Sequence, residues 1–190
     1  MSSAILQGGA TGTGSVTILA PNTNSNQILT LPDATATIVT NKTAGTVLQV
    51  VQNTVTTSTS TTSVNTAIDT LLTATITPTS ATSKILVLVS QNMQIYIQNS
   101  QGQQGLVQIY RGSTFLTTYG EAMFTQFATG NNGYQDSQQQ LFVQYLDSPA
   151  TTSSLTYKTQ GYFTNNSANA GIRFQFNGAQ SSMTLLEIAA

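Results

Sequence analysis

At 190 residues the chain is long enough for one β-sandwich of ordinary size and a short additional segment. It is 39% hydrophobic, carries a net charge of −1 and is only 6% charged, against roughly 25% in an average domain, so a core can be buried and disorder by self-repulsion is excluded. With no histidine and no cysteine, the commonest general base, the commonest zinc ligands, disulfides and thiol nucleophiles are all excluded.

The chain opens on Gly8, Gly9, Gly12 and Gly14, which mark a tightly turning or flexible start. Strand-like runs follow at Val16–Leu19 and Ile28–Leu31, separated by the turn chemistry of Pro21–Asn26, with a third at Ala36–Val39. Three strands of about four residues cannot bury a face alone. Residues 1–44 therefore read as a β-rich arm that needs copies of itself or another protein, with Val16, Ile18, Leu19, Ile28, Leu29 and Leu31 as candidate anchor or oligomerisation residues.

Residues 45–190 read as a succession of short strands. Val47–Val51 begins them, Thr54–Ser63 is a strand or a loop, and Ala74–Thr77 alternates until Pro78. Lys84–Val89 is continuously apolar from Ile85 on, which suggests a strand covered on both faces. Met93, Ile95 and Ile97 then alternate with polar positions apart from Tyr96. Further runs are Leu106–Tyr110, Phe115–Tyr119, Leu141–Tyr145, Leu155–Phe163, the alternating Ile172–Phe176, and Met183–Ile188. Helical spacing occurs only over 64–72, through Val64, Ile68, Leu71 and Leu72. Eight or nine strands joined by short turns indicate an all-β, antiparallel, jelly-roll-like sandwich. Uncharged strand edges are tolerable when subunits cover them, which favours an oligomer and, with an intertwined arm, a trimer.

The residues supply no ready catalytic constellation. A Ser-His-Asp triad is impossible, and paired carboxylates would have to come from Glu121 with Asp136 or Asp136 with Asp147, all of which read more simply as solvated turn residues. The loop Asn131–Asp136 could offer oxygens to calcium but reads as a surface loop, and Gly9–Gly14 lacks the Lys-Ser/Thr of a phosphate loop. The expectation is a non-enzyme with no cofactor and no metal. The five basic residues are scattered, so nucleic acid is not an expected partner. No run is long enough for membrane insertion and no signal peptide precedes the chain, so synthesis in the cytoplasm is expected. Tyr119, Tyr134 and Tyr162 lie near the expected loops and are candidate receptor-facing aromatics for a host surface glycan.

Two stretches carry a resemblance. Ala20–Thr35, reading APNTNSNQILTLPDAT, resembles a module near the start of tailed-bacteriophage fibre and virion structural proteins, with Ala36 where that module usually has glycine. The second stretch joins Gly45–Val50, Ile76–Val87, Arg111–Ser113, Asp147–Thr152 and Leu186–Ala190, and it is similar to a domain of phage tail-fibre-like and virion proteins, cyanophages included. The resemblance implies a trimeric, β-rich, non-enzymatic protein of the virion surface. Its partner would be the major capsid protein, if it is a cement or decoration protein held by its arm. The alternative is a short tail fibre on a tail or baseplate protein, with sandwich loops that bind a host receptor.

Overall fold

The structure, a computed structural model, describes residues 44–98, 103–124, 134–164 and 170–190. The expected arm, residues 1–44, lies outside them apart from its last residue. The described residues form ten strands: β1 (Val47–Val55), β2 (Thr59–Thr61), β3 (Ile68–Ile76), β4 (Lys84–Gln98), β5 (Gln103–Arg111), β6 (Thr114–Phe124), β7 (Tyr134–Asp147), β8 (Leu155–Thr164), β9 (Gly171–Phe174) and β10 (Ser181–Ile188). A short 3₁₀ turn, Phe176–Gly178, separates the last two.

Strand β4 organises one sheet. Along one side it pairs with β7 throughout, from Ile85↔Asp147 to Gln98↔Tyr134. Its other side is shared, β10 taking Lys84–Ser90 and β9 taking Met93–Tyr96. Beyond these lie β1, paired with β10, and β2, paired with β9. The second sheet has the order β3-β8-β5-β6. All pairings are antiparallel, and the major ones are nested: β1 with β10, β3 with β8, β4 with β7, β5 with β6. A long hairpin rolled up on itself gives that nesting, which is the jelly-roll arrangement. The all-β sandwich expected from the sequence is therefore present.

Alternation decides which residues fill the space between the sheets. From β4 come Ile85, Val87, Val89, Met93, Ile95 and Ile97, and from the facing strands Leu72, Ile76, Ile109, Tyr157 and Phe163, all buried. Two apolar clusters result, one around Val87, Tyr157 and Leu185, the other around Ile95, Phe163 and Phe174. Between them runs a polar layer of fully buried Thr70, Gln91, Thr159, Gln175 and Ser181. Its members satisfy one another. Thr159 Oγ1 donates to Gln91 Oε1 at 2.9 Å, and Gln91 Nε2 donates to Ser181 Oγ at 3.0 Å. The Gln175 amide, oriented to suit its neighbours, donates to the Thr70 and Thr57 carbonyls. An unmet buried polar group would cost about 1–3 kcal/mol, so this layer forces the two sheets into one register.

The sheet edges are guarded by neutral side chains. Gln49 and Asn53 of β1 donate to the Thr77 and Thr73 carbonyls at the edge of the other sheet, each at 2.7 Å. On the opposite flank the Tyr119 hydroxyl of β6 donates to the Gln144 carbonyl of β7. Amides and a phenol thus cover edge carbonyls where charged residues usually protect an edge.

Two strand bounds are corrected, and the helical spacing over 64–72 is not used. No helix forms over 64–72: Val64 and Asn65 make a turn, and β3 then buries Thr70, Leu72, Ala74 and Ile76 with period two. Pairing with β8 overrides a helix too short to stand alone, at the cost of a left-handed Leu71 (φ 68°) inside an irregular stretch of β3. The strand at Ile172 stops at Phe174, because Gln175 is left-handed (φ 51°) and carries Phe176 out of the core. Lys84–Gln98 is one strand instead of two, with Gln91 and Asn92 buried in the middle.

Gly161 marks the tightest approach in the core: a Cβ there would lie 2.0 Å from Cζ of the fully buried Phe174. Gly161→Ala should therefore lower stability by about 1–3 kcal/mol, the usual range for overpacking, seen as a reduced urea midpoint by circular dichroism. An unchanged midpoint would show that the Phe174 ring can withdraw.

Candidate functional site

Of the candidate site residues from the sequence, Tyr119 and Tyr162 do not converge. Val16, Ile18, Leu19, Ile28, Leu29 and Leu31 lie outside the described residues, as does the loop at Asn131–Gly133. Tyr119 is in β6 and packs toward the core, whereas Tyr162 is in β8 opposite Leu106, on the outer face of the same sheet. Tyr134 begins β7 opposite Gln98. Tyr119 and Tyr162 thus sit in strands and on opposite faces, so they form no shared platform. The paired-carboxylate idea fares no better. Asp136 and Asp147 stand at opposite ends of β7, on the order of 35 Å apart at 3.3 Å per residue. Among the described residues no group of three or more acidic, histidine or cysteine side chains could hold a metal. No described helix is long and apolar enough to cross a membrane.

Asp147 is not the solvated turn residue expected from Asp-Ser-Pro. It is buried, accepts from Arg111 Nη1 at 2.6 Å and from the Tyr157 hydroxyl at 2.6 Å, and so fastens the end of β7 to β5 and β8 in the facing sheet. Burial and the bond to Asp147 push the Tyr157 hydroxyl well above its ordinary value. Lys158 pairs with Asp69 at 2.9 Å on the exposed surface, where such a pair adds little. The four described cations, Lys84, Arg111, Lys158 and Arg173, form no stripe.

What does stand out is the outer face of the sheet β1-β10-β4-β7. Directly paired residues share a face, so the register lays out rows across all four strands. One row is Val50, Leu186, Leu86 and Leu146, aliphatic throughout. The next is Gln52, Thr184, Leu88 and Gln144, and the third is Thr54, Ser182, Ser90 and Phe142. None of these residues is charged. Phe142 is 78% exposed, Val50 59% and Leu146 49%. Beside Phe142 lies a hollow of about 400 Å³ lined by Leu88, Ser90, Gln144, Ser182 and Thr184. A projecting ring and a recess therefore share one neutral surface. The sequence signal for it was the two-faced apolar character of Ile85–Val89, which one chain covers on its inner side only.

The end of β10 carries a second buried carboxylate. Glu187 accepts from Thr79 N and Oγ1 at 2.8 Å each and from Gln49 Nε2 at 2.6 Å, tying the β3–β4 loop and β1 to β10. Burial alone would raise this carboxyl, but the bonds led by Gln49 and joined by Thr79 outweigh it and hold the group below its ordinary value.

No family model and no curated protein matches the chain. Among solved structures, similar chains come from infectious bursal disease virus. That of the Gx strain is 11% identical with a TM-score of 0.34, over 83% of this chain and 43% of that one. That of the derived T=1 particles is 13% identical with a TM-score of 0.33, over 83% and 41%. That of the VP2 subviral particle is 13% identical with a TM-score of 0.31, over 76% and 38%. The chain thus spans less than half the length of each of these chains. At such TM-scores the likeness carries no argument about function, and the surfaces of this chain must speak for themselves.

Because Glu187 is held below its unfolded value, its stabilisation is full above the unfolded carboxylate pKa of about 4.3 and is lost as pH falls through the lower folded value. The urea midpoint should consequently drop as pH is lowered from about 5 to 3. Glu187→Gln should start from a lower midpoint at neutral pH and show a shallower acid decline; an identical decline in both proteins would assign the acid sensitivity elsewhere.

Proposed function

We propose that the chain is a non-enzymatic structural protein of a tailed-phage virion surface, self-associating as a trimer and decorating or cementing the capsid through residues 1–44. The observation that carries the self-association is the neutral apolar face of β1-β10-β4-β7, with exposed Phe142, Val50 and Leu146. Four strands about 4.8 Å apart, followed over about seven residues, make a face of roughly 20 by 25 Å. Each copy brings roughly 500 Å² of this face, so three copies turned toward one axis bury on the order of 1,500 Å² in all, within the range of specific interfaces. Further copies suit this surface because the ring and the hollow lie together and its three rows carry no charge, Lys84 standing in the row beyond them. The phage setting and the number three come from the resemblance of Ala20–Thr35 and the stretches from Gly45 onward. The partner is then the major capsid protein.

The self-association is tested in the full-length chain by analytical ultracentrifugation at micromolar concentration. Phe142→Asp and Leu146→Asp should each convert the oligomer to monomer. Phe115→Asp, at another exposed position (50%), serves as the control and should leave it intact. A monomeric wild type, or an oligomer indifferent to both substitutions, would remove the face from the reading.

Position on the particle is tested separately by quantitative mass spectrometry of purified virions. A fixed ratio to the major capsid protein, amounting to hundreds of copies, is the expected outcome. A few tens of copies would favour the second reading, a short tail fibre on a tail or baseplate protein with a receptor such as a host surface glycan. One structural observation favours that second reading, and it lies at the other end of β4.

A further inference from the structure

We infer that the hollow beside Arg173 is a binding site for an acidic monosaccharide unit, held by its carboxylate and by one apolar ring face. The inference goes beyond the virion reading and does not depend on the copy number or on the oligomeric state.

The site is assembled by register. Arg173 of β9 pairs with Ser60 of β2 on one side and with Gln94 of β4 on the other. Its guanidinium is stacked on two rings, 4.2 Å from the Tyr96 centroid and 5.1 Å from that of Phe176. Stacking of this kind fixes the guanidinium plane and leaves the donors on its edge free to aim. Tyr96 can take its place only because residue 171 is glycine: a Cβ there would be 2.4 Å from the tyrosine oxygen.

Among the described residues the charge of Arg173 is not met in kind. Its Nη1 donates to the neutral Gln94 Oε1 at 3.3 Å, and Gln94 Nε2 in turn donates to Asp136 Oδ2 at 3.0 Å. No described carboxylate lies within ion-pair distance of Arg173, whereas Arg111 and Lys158 each hold one directly. A guanidinium carries five donors in a planar fork, so most of its capacity remains for a ligand. The fork matches a carboxylate with two parallel bonds.

The surroundings suit a sugar. The hollow measures about 380 Å³ and is lined by Ser58, Thr59, Ser60, Arg173, Phe176 and Asn177. That lies within the range of about 300–1,000 Å³ typical of small-ligand sites. The hydroxyl of Ser60 and the Asn177 amide can exchange hydrogen bonds with sugar hydroxyls, and the Phe176 ring offers a face for the C–H side of a pyranose. The rim is shaped by left-handed backbone at Gln175 (φ 51°) and Asn177 (φ 55°). Gln175 is fully buried and bonded into the polar layer of the core, so the turn that presents Phe176 and Asn177 is anchored from within. Strained backbone held by a rigid interior is a common way to pre-form a site.

The test uses the full-length protein, labelled with ¹⁵N, titrated with sodium glucuronate and, separately, with glucuronamide. The two probes share their ring and hydroxyls and differ in charge. Glucuronate should shift the amides of Ser60, Arg173 and Asn177 in a saturable way at millimolar concentration, and glucuronamide should bind at least about tenfold more weakly, since a charged acceptor is lost. Arg173→Lys keeps the charge without the fork and should weaken binding by a similar factor; Phe176→Ala should weaken it while leaving the preference for the acid. Equal binding of acid and amide, shifts located elsewhere, or no saturable shift at all would overturn the inference. Because wild-type shifts and the acid-to-amide ratio are both informative, the result stands even if a variant fails to fold.

Discussion

The pairing of β4 with three other strands is the constraint on which the rest of the molecule hangs. A strand has two sides only, and β7 occupies one of them along almost the whole length of β4. The other side is divided between β10 and β9, and the two ends of the sandwich inherit different outer surfaces from that division. Where β10 is the neighbour, the outward positions of β4 are Lys84, Leu86, Leu88 and Ser90, and the surface past Lys84 is uncharged. Where β9 is the neighbour they are Gln94 and Tyr96, and the surface is built around Arg173. A slip of one residue would exchange inner for outer side chains along the entire strand. The buried Gln91 opposes such a slip, because its amide finds partners in one register only.

Charge is scarce, and much of it is spent on joining elements. Asp147 draws Arg111 and Tyr157 to the end of β7, and Glu187 draws Thr79 and Gln49 to the end of β10. Both carboxylates are buried and fully engaged. Replacing a partner in either place strands a charge in the interior, a costlier event than losing an exposed pair such as Lys158–Asp69. Elsewhere threonine, serine, glutamine and asparagine do what charged residues do in an average domain: they solvate the surface and close the edges.

Much of the sandwich was legible in the chain, because alternation records burial directly. Lys84–Val89, Leu106–Tyr110 and Met183–Ile188 all fall in strands, and Ala74–Thr77 does so up to Ile76. The misreadings share a cause, which is polar residues placed where a pattern reader expects an interruption. The run Lys84–Val89 continues through Gln91 and Asn92, which lie in the middle of β4, and the run at Leu141–Tyr145 is preceded in β7 by Gln138–Gln140. Leu71 and Gln175 adopt left-handed backbone with no glycine to announce it. The surfaces were less legible still. The apolar rows depend on which strands lie side by side, and Arg173 meets Tyr96 only through the β4–β9 register, across 77 positions of sequence. Spacing along one chain contains no record of that.

The described chain enters and leaves the sandwich through one point. Gly45 donates to the Ala189 carbonyl at 2.8 Å, and Ala189 donates back to the Thr46 carbonyl at 2.9 Å, so residue 44 and the C-terminal alanine are neighbours. Val47 likewise faces Ile188 at the same end of the β1–β10 ladder. A tension applied between these two ends would open that ladder one rung at a time, like a zip. A tension applied between residue 44 and the apolar face would load the rungs together, in shear, across β1, β10 and β4. The mechanical strength of this domain therefore depends on direction: weak when its two ends are drawn apart, and strong when it is pulled by one end against neighbours that hold its face.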